Sequence, residues 1–125
     1  MDIIVTDPPR SFTVGSQQDI VLTDCAYIHL QPNEQVTFKT ESGAEHDVVR
    51  KSWGFYATAS LNGRLPQFGL KAAFVKNAAN RYYLCLVEQG QEEEFQAYLT
   101  TDCQKFVCWL DSTPLLQNFE KRDFA

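Results

Sequence analysis

With 125 residues, a formal net charge of −5 and 44% hydrophobic residues, the sequence has the size and composition of one ordinary globular domain. The acidic balance argues against a nucleic-acid-binding protein, because such domains are normally basic. Apolar runs are only a few residues long, and the first ten residues lack the basic and apolar regions of a secretory signal. We therefore expect no nucleic-acid partner, no membrane insertion and a cytoplasmic location.

Strand signals dominate the first ninety residues. Residues 20–30 (IVLTDCAYIHL) are rich in β-branched and aromatic side chains, which favour strands. The turn-like QPNE at 31–34 leads into QVTFKTE, where apolar and polar residues alternate as in a strand with one buried face. SGAE at 42–45 then predicts a hairpin onto residues 46–58.

The second half adds a further hairpin and one helix. Asn62-Gly63 suits a two-residue hairpin turn, and NAAN at 77–80 separates two more strands. The later of these, RYYLCLVE, is apolar on both faces, which predicts a central strand between two layers. QEEEFQAYLTTD then changes to helical spacing, with three glutamates in its first turn, and QKFVCWL predicts a final strand.

These elements predict a mainly β protein. The expected architecture is a single-domain β-sandwich, jelly roll or barrel over residues 1–111, with one amphipathic helix near residues 91–101. Residues 112–125 form a C-terminal tail whose apolar side chains, Phe124 included, could dock on the domain or on a partner.

Neither a metal site nor a cofactor is expected. The four cysteines form no C-x-x-C pair, and the two histidines have no metal-ligand spacing. The sequence also lacks GxSxG, P-loop and dinucleotide-binding motifs, so hydrolase and nucleotide-binding classes have no support.

One stretch combines aromatic residues with positive charge. Between residues 39 and 81, seven basic residues face three acidic ones, a balance of +4 that leaves −9 for the rest of the chain. Within it, RKSWGFYATASLNGR would place Arg50 and Tyr56 on one face if residues 48–58 are a single strand. We interpret Arg50, Tyr56, Asn62 and Arg64 as a site for a small anionic ligand or a sugar phosphate. The alternative is that the aromatic residues are packing residues.

The chain also offers candidates for acid–base chemistry. His46 lies between Glu45 and Asp47, and an imidazole beside carboxylates can transfer protons near neutral pH. Consecutive residues on a strand point to opposite faces, however, which favours an exposed hairpin shoulder. His46, His29 and Tyr56 are therefore weak catalytic candidates, and an enzyme is the less favoured interpretation.

Two segments of the sequence resemble known groups of proteins. IHLQPNEQVTF resembles the turn before the metal-binding strand of cupin-type jelly rolls, although Thr37 and Lys39 stand where the cupin histidine pair would follow. Residues 31–111, and SWGFYATASLNGRL in particular, resemble small uncharacterised bacterial proteins associated with surface-polysaccharide gene clusters. The second resemblance implies a carbohydrate context and assigns no residue a role.

Three functions remain open. The first is a binding or accessory protein for a small anionic or sugar-containing ligand. The second is a cupin-like sugar-modifying isomerase or epimerase that uses a histidine with Tyr56. The third is a homo-oligomeric structural or interaction protein, for example a homodimer, in which exposed aromatic residues are buried against a second copy.

Overall fold

A computed structural model describes residues 1–122 and confirms that the protein is mainly β. Its described part contains eight strands and three helices. They are β1 (Asp2–Val14), β2 (Ile20–His29), β3 (Gln35–Lys39), β4 (Glu45–Lys51), β5 (Gly54–Tyr56), α1 (Arg64–Gln67), β6 (Leu70–Lys76), β7 (Tyr82–Glu88), α2 (Glu92–Thr101), β8 (Lys105–Trp109) and α3 (Thr113–Glu120). The helix predicted near 91–101 is confirmed as α2. Over these residues, no helix is long and apolar enough to cross a membrane.

The strands form three separate antiparallel sheets, with orders β1-β2, β3-β4-β5 and β7-β6-β8. Within residues 1–122 none of them closes on itself, so the barrel form of the prediction is wrong. The sandwich and jelly-roll forms stay predictions.

Strands β1 and β2 make a long two-stranded ribbon. Their pairing runs from Val14 opposite Ile20 to Asp2 opposite His29, with a shift in register between Val5 and Arg10. Pro8 and Pro9 lie inside this shift. A proline has no N–H to give to the ladder, so an irregular stretch is where a strand accommodates it.

Strand β6 is the centre of the core. Ala72, Ala73 and Val75 on this strand have no exposed surface. One face of β6 packs with Leu65 of α1, and the other packs with Leu99 of α2. The expectation that residues 81–88 form the central strand is wrong, because β7 lies at the edge of its sheet.

Two turns also differ from the sequence expectation. Residues 48–58 do not form one strand, because the chain reverses at Ser52-Trp53 and pairs Lys51 with Gly54. Gly54 has a φ of 148°, which most other residues avoid. Asn62-Gly63 does not close a hairpin either, and the chain enters α1 there.

The predicted tail contains the third helix. The Ser112 hydroxyl accepts a hydrogen bond from the amide of Leu115 at 3.4 Å, and a proline in the first turn suits a helix start. Asn62 also donates to the Thr113 hydroxyl at 3.0 Å, which ties α3 to the turn before α1. Phe124 lies outside the described residues.

Candidate functional site

A shallow polar pocket lies on one face of the β3-β4-β5 sheet. Its volume is about 280 Å³. The lining residues come from the sheet and from the loop before α1: Gln35, Asp47, Val49, Tyr56, Thr58, Ala59, Ser60 and Arg64. We call this the polar pocket.

Asp47 is the charged group at the floor of the polar pocket. Asp47 is buried, with only 8% of its surface exposed. One carboxylate oxygen accepts a hydrogen bond from the Thr37 hydroxyl at 2.8 Å, and the other lies 2.9 Å from Nη2 of Arg64. A buried carboxylate needs such partners, because burial without them costs several kcal/mol.

Helix α1 positions Arg64. The Ser60 hydroxyl accepts a hydrogen bond from the Arg64 amide at 2.7 Å, and Leu65 beside it is 1% exposed in the core. The guanidinium lies 5.1 Å from the centre of the Phe68 ring, so a cation–π contact also orients it. About half of the Arg64 side chain is still exposed, which leaves donors free to meet a ligand.

Thr58 supplies an unpaired hydroxyl. Its Oγ1 is buried, and the described residues offer it no hydrogen-bond partner. Tyr56 at the rim of the pocket is 57% exposed and touches the Trp53 ring edge-on, with ring centres 5.4 Å apart. The pocket thus combines an ion pair, an unsatisfied hydroxyl and an exposed aromatic ring.

The structure brings together two of the four residues predicted to bind a ligand. Tyr56 and Arg64 both line the polar pocket. Arg50 lies opposite Phe55 rather than Tyr56, so it faces the other side of the sheet and contacts the Phe55 ring at 5.7 Å. Asn62 is used in the contact with α3.

Sequence reasoning missed Asp47 and Thr58 as pocket residues. Asp47 was considered only as a neighbour of His46. Alternation along β4 places Asp47 on the same face as Val49, and Val49 pairs with Tyr56 across the β4–β5 hairpin. The register of this hairpin would therefore have identified Asp47 as a neighbour of Tyr56.

The three weak catalytic candidates do not share a face. His46 is adjacent to Asp47 on β4 and therefore faces away from Tyr56, with Nε2 2.8 Å from the carbonyl oxygen of Ala57. His29 ends β2 and belongs to the ribbon sheet. Over residues 1–122, no group of three or more histidine, cysteine or acidic side chains lies close enough to hold a metal ion.

A second candidate surface lies on the face of the β7-β6-β8 sheet that packs against α1, in the half of that face that α1 does not cover. Leu70 and Ala72 on this side are buried against α1, whereas Tyr82 and Leu84 further along are 55% and 58% exposed. The Phe74 and Tyr82 rings stack here, with centres 5.3 Å apart. We call the surface formed by Phe74, Tyr82 and Leu84 the open face.

Cations surround the open face. Lys76 lies opposite Lys105 across β6 and β8, and Arg81 directly precedes β7. The ammonium of Lys76 lies 5.7 Å from the centre of the Tyr82 ring. In the part of the chain that the structure describes, none of these three cations forms an ion pair with a carboxylate.

The β1–β2 ribbon also exposes an apolar surface. Cross-strand partners share a face, so the register collects eight apolar side chains on one side of the ribbon. They are Ile3, Val5, Phe12, Val14, Ile20, Leu22, Ala26 and Ile28. Within this ribbon face, Val5 is 72% exposed, and the only charged groups are Arg10 and Asp24, which pair at 3.0 Å.

A groove of about 610 Å³ separates the turn of the ribbon from β7 and α2. The carboxylate of Asp102 bridges it by accepting a hydrogen bond from the amide of Ser16 at 2.7 Å. This bond, with a second from Gln104, lowers the pKa of Asp102. Burial raises the pKa of the Tyr98 hydroxyl and of the Cys85 thiol on the groove wall, so both stay protonated at neutral pH.

Comparison with known proteins gave no match to a family model, a curated protein or a solved structure.

Proposed function

We propose that the protein is a structural subunit that assembles with further copies of itself through its β-rich surfaces. The accessible surface of the chain carries this proposal. It amounts to 9051 Å², whereas a compact monomer of 14.3 kDa exposes about 6,800 Å². The chain therefore exposes about 2,200 Å² more than folding alone would leave, which is on the scale of a protein interface.

The character of the exposed surface supports the same function. The ribbon face and the open face are both apolar, and contiguous apolar surface of this kind marks interaction sites. A two-stranded ribbon is also marginally stable in water without a further layer. A sheet from a second copy would supply that layer, so we propose that the expected sandwich forms between chains, in the cytoplasm.

Measuring the mass in solution tests this function. Light scattering coupled to size-exclusion chromatography, over a range of concentrations, is expected to give a multiple of the 14.3 kDa chain mass. Phe12→Lys should shift the mass toward the monomer, because Phe12 lies on the apolar ribbon face. Thr13→Lys, on the opposite side of the same strand, is the matched control. A wild-type protein that remains monomeric at high micromolar concentration would overturn the proposal.

A second candidate function is the binding of a sugar-containing ligand in the polar pocket. The unpartnered Thr58 hydroxyl favours it, since a ligand hydroxyl could satisfy that group. Asp47 and Arg64 offer an acceptor and donors side by side, and Tyr56 offers a ring for stacking against a sugar. Because Asp47 already balances the charge of Arg64, hydroxyl groups suit this pocket better than an isolated anion does.

A thermal-shift screen against sugars, sugar phosphates and nucleotide sugars tests this candidate. A true ligand stabilises the folded state by about 2.7 kcal/mol at a hundredfold excess over its Kd. Tyr56→Ala should abolish the shift, whereas Arg50→Ala should leave it intact, because Arg50 faces the other side of the sheet. An unchanged shift in Tyr56→Ala would show that the ligand binds elsewhere.

The isomerase or epimerase alternative receives no geometric support. It requires a histidine and Tyr56 to act on one substrate, yet His46 and Tyr56 point to opposite faces of the sheet.

A further inference from the structure

Building on the proposed assembly, we infer that copies of the chain join head to tail, with the ribbon face of one copy lying on the open face of the next. Both surfaces are apolar and each lies outside the core of its own chain. The open face is one half of a sheet whose other half is already covered by α1, so a partner would complete a layer that the chain leaves unfinished.

Charge favours this pairing. On the ribbon face itself Arg10 pairs with Asp24, and Asp2 shares the opposite side of the ribbon with His29. Two further aspartates have no cation in the described structure: Asp7 in the irregular stretch and Asp19 in the turn. The open face is surrounded by three cations without a carboxylate: Lys76, Arg81 and Lys105. When a ribbon lies on an open face, Asp7 and Asp19 can therefore meet these cations, whereas two ribbons placed against each other would offer them no cation beyond Arg10, which is already paired.

The exposed area also favours a head-to-tail arrangement. A standard interface buries about 800 Å² on each partner. A symmetric dimer would use one surface per copy and leave most of the excess of about 2,200 Å² uncovered. A head-to-tail chain uses two surfaces per copy and buries about 1,600 Å², which accounts for most of it.

The dimensions of the two surfaces are compatible. β1 contains 13 residues and so extends over about 40 Å at ~3.3 Å per residue, enough to cross a three-stranded sheet in either direction. Because the two surfaces differ, the contact repeats from copy to copy. It closes into a ring or continues as a filament, depending on the rotation between neighbours.

Mixing two blocked variants tests the arrangement. Val5→Lys with Phe12→Lys blocks the ribbon face, and Tyr82→Glu with Leu84→Glu blocks the open face; all four side chains are exposed, so folding should survive. Each variant alone is expected to be a monomer. A 1:1 mixture is expected to give a heterodimer, because one variant retains an intact ribbon and the other an intact open face.

The other outcomes separate this inference from the proposed function. If the open-face variant assembles like the wild type while the ribbon variant does not, the protein is an assembly subunit but the head-to-tail contact is wrong. A monomeric wild type would remove both proposals. Circular dichroism of every variant verifies the fold.

Charge reversal provides an independent measurement. Lys76→Glu with Lys105→Glu should weaken self-association about tenfold at low salt, and the difference should shrink as salt screens the charges. Lys121→Glu with Arg122→Glu, just after α3 and outside both surfaces, is the control with the same change in net charge. If both changes weakened self-association equally, the effect would come from net charge alone, which would contradict the inference.

Discussion

The amide of Ser16 donates a hydrogen bond to the carboxylate of Asp102 at 2.7 Å, across 86 positions of sequence. Ser16 lies in the turn of the β1–β2 ribbon, and Asp102 follows the last residue of α2. This contact therefore fixes the turn of the ribbon to the body of the protein, and it depends on an ionised carboxylate.

Acid should release this contact. Because the hydrogen bond from Ser16 lowers the pKa of Asp102 in the folded state, its stabilising effect is present above the ordinary value of 3.8 and is lost as the pH falls through the lower folded value. In an NMR titration, the amide shift of Ser16 should change with a midpoint below 3.8. Asp102→Asn should remove this transition, while Asp2→Asn should leave it. A midpoint at or above 3.8 would contradict the assignment.

Removing the cation of Arg64 should destabilise the fold. Arg64→Met leaves the carboxylate of Asp47, which is 8% exposed, with only the Thr37 hydroxyl as a side-chain partner. We expect a loss of about 1–3 kcal/mol in the free energy of unfolding, measured with urea. Lys39→Met breaks an exposed pair with Glu45 and should cost no more than about 1 kcal/mol. Equal losses would show that Asp47 does not depend on its partner.

Thr58→Val should stabilise the free protein. The substitution keeps the shape of the side chain and removes a buried hydroxyl that has no partner among the described residues. The expected gain in the free energy of unfolding is about 1 kcal/mol. The same variant should lose affinity for any sugar that the polar pocket binds, so stability and binding should change in opposite directions. A destabilised variant would mean that Thr58 already has a partner in solution.

Replacing a core leucine should lower the free energy of unfolding much more than replacing a surface leucine. Leu65 and Leu99 are 1% and 2% exposed and pack on opposite faces of β6, so Leu65→Ala and Leu99→Ala should each cost about 2–5 kcal/mol. Leu84→Ala, at a side chain that is 58% exposed, should change the stability of the monomer by less than about 0.5 kcal/mol. Urea unfolding at low protein concentration provides this comparison, and a large loss at Leu84 would place it in the core.

Local patterns predicted the elements whose signals lie within a few residues. The β3–β4 hairpin follows from alternation on both sides of a turn, and α2 follows from its spacing and its acidic first turn. The reversal at Ser52-Trp53 was missed because Trp53 favours strands and the apolar residues on both sides continue the strand pattern. A missed reversal changes which side chains share a face of the sheet. It led to the prediction that Arg50 and Tyr56 share a face, whereas they lie on opposite faces.

The remaining features depend on long-range placement. Whether Asp47 meets Arg64 depends on the direction in which the chain enters α1, and alternation within β4 carries no such information. The position of β7 could not be predicted for another reason. A strand that is apolar on both faces has the same sequence whether its neighbours belong to its own chain or to another one, so the pattern cannot separate a central strand from an exposed edge.

The distance between Ser16 and Asp102 along the chain also sets an order of events during synthesis. The ribosome completes the ribbon roughly seventy residues before it adds Asp102, which corresponds to roughly 4–15 s at ~5–20 residues per second. Until Asp102 has been added, the turn of the ribbon lacks this anchor on the body of the protein. In the proposed assembly, a finished copy nearby can cover the ribbon face before the chain's own α2 exists, which would make neighbouring ribosomes on one messenger a place where two copies meet.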